Sequence, residues 1–132
     1  MNTTRASQAT HVLLRLVAGL LIFMHGGQKL FGWFGGMGAA HPVPLMSQMG
    51  LAGVLEFGGG IALLLGLLTR PVAFLLSGEM AVAYFQVHQP QGTWPIQNHG
   101  ELPVLFCFIF LFFAAHGAGA FSVDARRRGR GR

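Results

Sequence analysis

The sequence predicts an all-α protein, a polytopic bundle of four transmembrane helices, on three observations. The first is composition: 52% of the 132 residues are apolar and only 10% are charged, against about 25% charged in an ordinary soluble domain. A chain so poor in charge cannot coat itself against water, and a soluble globular enzyme is excluded. The second is a set of four apolar stretches near the roughly 20 residues that a helix needs to cross about 30 Å of hydrocarbon. The third is the placement of basic residues: Arg5 precedes the first stretch, Arg70 separates the second from the third, and five arginines crowd the C-terminal tail. Lys and Arg in short connections mark the cytoplasmic side. With four spans, both termini are therefore expected in the cytoplasm.

The elements follow in order. A short N-terminus, residues 1–10, leads into the first helix, 11–31, which carries Arg15, His25 and Lys29. A signal peptide is the competing reading, but no small-x-small cleavage site follows the apolar run. The second helix, 48–68, holds Glu56 among glycines that permit close approach to a neighbour. The third, 71–88, is short and holds Glu79; Pro71 suits its first turn, where a missing N–H costs nothing. The fourth, 102–121, is the most apolar, and Asn98 with Glu101 makes a capping-box-like start. Trp33 and Trp94 lie in the two longer connections, Gly32–Ser47 and Gln89–Gly100, where headgroups would meet them. The basic tail, 122–132, reads as a topology signal and a contact for anionic membrane lipids. The net charge of +5 is mostly a property of that tail, so no nucleic-acid partner is implied. A lone Cys107 allows neither an intrachain disulfide nor a CxxC motif, and no HExxH-type pattern points to a metal.

Two polar groups lie inside the apolar stretches. A charge at the centre of a membrane helix costs on the order of 2.5–3.5 kcal/mol, so it is expected to face a partner or a cavity. At about 1.5 Å per residue, Glu56 and Glu79 fall roughly 21 and 13 Å from Arg70, on helices joined by the shortest link. Two carboxylates in a low dielectric do not both ionise cheaply. Arg15 is therefore expected to complete a buried ionic network with Glu56 and Glu79, and the plainer reading is that such a network only fixes packing. The second group gathers at the outer side: Lys29, His88 and Glu101, with His25 and His99. Together they would offer a cation, a titratable imidazole and a carboxylate to a quinone-like or anionic headgroup. The plainer alternatives are a snorkelling Lys29 and a Glu101 that only caps its helix.

The segments HGGQKLFG, LEFGGGIALLLGLLTRP, NHGELP and GAGAFSVDARR, in this order and spacing, resemble the DoxX family of small four-helix membrane proteins. The resemblance runs from about Leu13 to Asp124, with the LEFGGG…LLGLLTR segment the most specific part. It implies a multi-pass protein of the bacterial cytoplasmic membrane, linked to membrane oxidoreductase systems such as the DoxD-like subunit of a thiosulfate:quinone oxidoreductase. The positions that match the family's recurrent polar pattern are Lys29, Glu56, Arg70, His88 and Glu101. Glu79 and the pair His25/His99 are less typical of it.

Three functions are consistent with these readings. One is a quinone- or thiol-linked membrane subunit of an oxidoreductase complex, with redox groups supplied by a protein partner. Another is a non-catalytic membrane anchor or assembly partner. The third is a small proton or solute carrier built on Glu56 and Glu79, for which four helices are few unless the chain self-associates into a homo-oligomer. No flavin, haem c or iron–sulfur motif is present, and a quinone is the one cofactor class in view. A pocket at the outer cluster favours the first reading, and a fully packed bundle the second.

Overall fold

The computed structural model describes residues 3–37 and 43–131, and among these every regular element is helical. In chain order they are α1 (Thr3–Phe31), α2 (Gln48–Leu65), α3 (Thr69–Ala83), α4 (Pro95–Asn98), α5 (Glu101–His116) and α6 (Val123–Arg130). Short 3-10 turns occupy Trp33–Gly35 and Gln89–Gln91, and a π turn at Tyr84–His88 continues α3. Residues 38–42 of the connection between the first two helices, the first two residues and Arg132 lie outside the described residues. By length and composition α1 and α2 are each sufficient to cross a bilayer, whereas α3 and α5 are shorter.

The four apolar stretches are the four long helices, and their ends move for local reasons. α1 begins at Thr3 rather than residue 11, because residues 3–10 contain no glycine or proline to stop it. α2 starts where Ser47 Oγ accepts from the Gly50 N–H at 3.0 Å, a side-chain N-cap. It stops at Leu65 because Gly66 turns left-handed (φ 66°) and packs so close to Ser122 that no Cβ fits. α5 stops at His116, short of residue 121, where Gly117 (φ 80°) breaks it. The basic tail is itself helical over α6, with Ser122 Oγ accepting from the Ala125 N–H at its start. The expected capping box is absent: Gly100 stands at the N-cap of α5, and Asn98 ends α4 instead. The buried Asn98 side chain donates to Tyr84 Oη (3.2 Å) and the Gly92 carbonyl (2.9 Å), which folds the α3–α5 connection onto itself.

The long helices pack as two pairs, α1 along α2 and α3 along α5. In the first pair, glycines spaced by seven on both helices let the backbones meet. A Cβ on Gly26 would lie 2.6 Å from Phe57 Cα, and one on Gly60 would lie 2.6 Å from Phe23 Cβ. The glycines of α2 thus serve close packing. The pairs share a core of Ala18, Ile22, Leu63, Ala73, Leu76, Met80, Phe106, Phe110 and Phe113. Many large apolar side chains point outward, among them Leu13, Val17, Leu51, Phe74, Leu105 and Phe108; Phe74 and Phe108 are each 65% exposed.

At the end that holds both termini the bundle is sealed by Arg15. Its guanidinium, 1% exposed, donates to the carbonyls of Ala118, Ala120 (3.5 Å) and Phe121 (3.0 Å). Those carbonyls lost their helical partners when α5 broke at Gly117. Hydrogen bonds to a charged group contribute about 1.5–3 kcal/mol each, so this contact both satisfies the chain reversal and holds α1 against it. The predicted pairing of Arg15 with Glu56 or Glu79 is not made. A second clamp joins α6 to the α2–α3 link: Asp124 accepts from the Leu68 and Thr69 N–H groups, each at 2.9 Å, and its own N–H donates to the Gly66 carbonyl.

Burial opposes ionisation of Asp124. The Thr69 and Leu68 backbone hydrogen bonds and the Arg128 charge outweigh it and hold the carboxyl below its ordinary value of 3.8. A pKa lowered by folding stabilises the native state above the unfolded value and ceases to do so as pH falls through the folded one. Protection of the Leu68 and Thr69 amides from hydrogen exchange, taken relative to their intrinsic rates at each pH, is therefore expected to be high at neutral pH and to fall as pH drops below about 3.8. Asp124→Asn should remove that pH dependence of protection, and an unaltered profile in this variant would mean that the carboxylate does not hold the link.

Candidate functional site

Ile22, Met80 and Phe106 belong both to the core and to the wall of a cavity of about 790 Å³. They mark where packing ends. The two helix pairs, joined through the α2–α3 link and the Arg15 seal, leave this space toward the opposite end. Leu51, Ala52 and Leu55 of α2, Val82 and Ala83 of α3 and Leu102 of α5 give it apolar walls. Polar groups are confined to an inner cluster and an outer rim.

The inner cluster is His25, Lys29, Glu56 and Glu79, all lining the cavity. Lys29 Nζ donates to both oxygens of Glu56, at 2.6 and 2.5 Å, and Glu56 is 2% exposed. The sequence reading assigned these two residues to separate groups, one outer and one buried; they are one ion pair. They meet because Gly53, one turn before Glu56, has no side chain to keep α1 away: a Cβ there would lie 3.0 Å from Lys29 Cβ. Glu79 comes from α3, and its carboxyl lies against that of Glu56. Its Oε2 is buried and has no hydrogen-bond partner. His25 stands one turn from Lys29 on the same face of α1, with its ring edge-on to Phe106 at 6.3 Å between centroids.

The outer rim is built by the π turn and the α4 region. Gln48 at the start of α2 donates to Gln86 Oε1 at 2.6 Å, bridging the two helix pairs across the mouth. His88 lies at the end of the π turn, where the widened helix swings its ring toward Asn98. His88 Nδ1 is 3.0 Å from the Asn98 carbonyl oxygen. A carbonyl only accepts, so Nδ1 carries the proton and, in the neutral ring, Nε2 is the acceptor. His99, with φ 58°, also lines the cavity.

Four of the five residues expected to share the outer pocket therefore do so: His25, Lys29, His88 and His99. Glu101 does not. It is exposed in the first turn of α5 and outside the cavity lining, because the Asn98–Gly100 turn starts that helix one residue earlier than predicted and aims this position outward. Of the expected ionic network, Glu56 and Glu79 meet as anticipated, with Lys29 in the place assigned to Arg15. Gln48 and Gln86 were not singled out from the sequence, and Asn98 was read there only as part of a helix cap. The polar residues Gln86 and His88 at the end of an otherwise apolar helix were the available signal. Among the described residues, no group of three His, Cys, Asp or Glu side chains assembles as metal ligands.

Comparison with known proteins gives a family match over residues 10–89 to the model described as DoxX. An uncharacterized protein of Haemophilus influenzae is 42% identical over 118 residues, covering 84% of this chain and 85% of its own length. Inner membrane protein YqjF of Escherichia coli K12 is 33% identical over 122 residues, covering 86% of this chain and 88% of its own. No solved structure matches the chain.

The Lys29–Glu56 pair makes a direct prediction. Lys29→Met would strand a buried carboxylate, and breaking one side of such a pair costs about 3–5 kcal/mol. The melting temperature in detergent should fall clearly. Adding Glu56→Leu to that variant should recover much of the loss, since removing both charges together is often neutral. A double variant no more stable than the single one would show that the pair is not energetically coupled.

Proposed function

This chain belongs to the DoxX family, and on that premise we propose that it is a multi-pass protein of the bacterial inner membrane whose cavity holds one lipid-soluble small molecule. In this reading α1, α2, α3 with its π continuation, and α5 are the four spans. Thr69–His88 is helical throughout, and at 1.5 Å per residue it extends about 30 Å, the thickness of the hydrocarbon. The outward-facing Leu, Val and Phe side chains then meet acyl chains rather than water. YqjF, named an inner membrane protein, supports the same location. The arginines set the orientation, with both termini cytoplasmic and the cavity toward the outer leaflet.

The observation that carries the functional reading is the cavity itself. A non-catalytic anchor has no need of interior space, whereas this bundle keeps about 790 Å³ with apolar walls and a buried polar cluster. An apolar site with a few convergent polar groups suits a small ligand. A quinone-pool molecule fits: its ring and tail match Leu51, Leu55 and Val82, and its oxygens would lie among Lys29, Glu79 and His88. Such a molecule supplies two-electron chemistry when bound, while the chain supplies position and hydrogen bonds. The protein then acts as the membrane subunit of an oxidoreductase complex whose electron-carrying groups reside in a partner. A carrier mechanism would use the same Glu56 and Glu79.

Two measurements test this. Protein purified in native lipid particles and analysed by mass spectrometry should release one quinone-pool molecule per chain; phospholipid alone would return the bundle to an anchoring role. Independently, a cysteine placed at position 130 should react with an impermeant thiol reagent only from the cytoplasmic side. Labelling from outside intact cells would reverse the orientation.

A further inference from the structure

We infer that the cavity is filled from the side: its ligand carries a hydrocarbon tail longer than the cavity, and that tail leaves into the bilayer through a window between α2 and α3. This rests on the reading of the cavity as a site for a lipid-soluble molecule. It adds the seam that admits the ligand and the part of the ligand that the seam holds.

The cavity wall is uneven around the bundle. α1 enters it with Ile22, His25 and Lys29, spaced by three and four and so a single stripe of that helix. α2 enters it with adjacent pairs, Leu51 with Ala52 and Leu55 with Glu56. α3 does the same with Glu79 and Met80, then Val82 and Ala83. Neighbours on a helix stand about 100° apart, so the space wraps round the flanks of α2 and α3. Leu51 lies about 160° round α2 from Gly53, where α1 approaches. Val82 lies about 140° round α3 from Ser77, whose hydroxyl donates to the Cys107 carbonyl of α5. Each is thus on the flank turned from its helix's own pair partner and still lines the cavity, which the seam between α2 and α3 allows. Both are also exposed, at 58% and 46%.

The window has firm edges. Below it Gly59 packs on Leu76, whose Cδ1 would lie 3.0 Å from a Cβ at that glycine. Above it Gln48 Nε2 donates to Gln86 Oε1 at 2.6 Å. From Gln48 to Gly59 the helix rises about 16 Å, and the side chains that flank the seam, Leu51, Leu55, Val82 and Ala83, are apolar. With Thr69–His88 crossing the hydrocarbon, a window between Leu76 and Gln86 lies within it. A space of about 790 Å³ suits a compact ring beside Lys29 and Glu79. A long tail gains nothing by coiling in beside that ring, because acyl chains are as apolar as the wall. It is accommodated in the bilayer, and the seam is the way out.

The test uses the full-length protein in lipid nanodiscs and two probes: a fully substituted benzoquinone ring carrying a decyl chain, and the same ring with a methyl group in its place. A photoreactive diazirine set in the middle of the decyl chain should, on irradiation, attach to Leu51, Leu55, Val82 or Ala83, as located by peptide mass spectrometry. An excess of the decyl probe without the diazirine should suppress that labelling. Competed attachment at Met37 or His99 would send the tail through the mouth, and at Leu21 or Leu105 between α1 and α5; either overturns the window. This labelling needs no variant. Val82→Trp then narrows the window at an exposed position without touching the inner polar cluster. By calorimetry, with empty nanodiscs subtracted for partitioning, it should weaken the decyl probe about tenfold and leave the methyl probe unchanged. Equal effects on the two probes, or none on either, overturn the window while leaving the ligand site intact. Absence of saturable binding by both probes on the wild-type protein overturns the ligand site itself.

Discussion

The ion pair between Lys29 and Glu56 is the contact on which the rest of the interior depends. It is buried between α1 and α2, and neither partner could be placed there alone, because a lone charge in such surroundings costs several kcal/mol. The pair requires the two backbones to approach closely, which the glycines of both helices permit. It also fixes the register of α1 against α2, since one turn of slip would separate the charges by about 5.4 Å. The ammonium bonds to Glu56, and the Glu79 carboxyl stands beside the pair in the cavity wall.

The two ends of the bundle solve the problem of buried polarity in opposite ways. At the end with the termini, the chain reversal after α5 frees carbonyls inside the protein, and Arg15 answers several of them with one planar guanidinium. Asp124 does the converse for the N–H groups at the start of α3. The orphan backbone groups named here meet partners of opposite role, although Arg15 Nε and Thr69 Oγ1 stay buried without one. At the far end the helix pairs stay apart and the polar groups are only partly matched. Tight closure at one end holds the pairs together and allows the other to remain open.

The rim of the cavity depends on backbone irregularity. A regular helix through Tyr84–His88 would place the His88 side chain differently, and the π turn directs it to Asn98. Asn98, in turn, is held by Tyr84 and Gly92. The orientation of one imidazole therefore rests on three contacts within a short connection. Positioning of this kind lets a loop present a functional group as firmly as a helix does.

Much of the fold was legible in the sequence because apolar length and the scarcity of charge are local properties. Four helices, the glycine packing of α2 and the polar character of positions 25, 29, 56, 79, 88 and 99 follow from composition and spacing. Helix ends were less legible: Gly66 and Gly117 stop their helices for reasons that include the approach of Ser122 and Arg70 from elsewhere. Partner choice was not legible at all. Arg15 and Lys29 are both cations on α1, and nothing along the chain says which one meets Glu56. Distance decides it: Arg15 and Lys29 are nearly four turns apart on a rigid helix, and only the packing of α1 on α2 brings Lys29 to the carboxylate. Likewise, Glu101 looked like a member of the outer group until the Asn98–Gly100 turn set the direction in which α5 presents it. The sequence by itself determined which segments are helical and which residues are out of place in an apolar interior. Only the tertiary structure decided how those residues pair, because pairing is a matter of a few ångströms across helices and not of order along the chain.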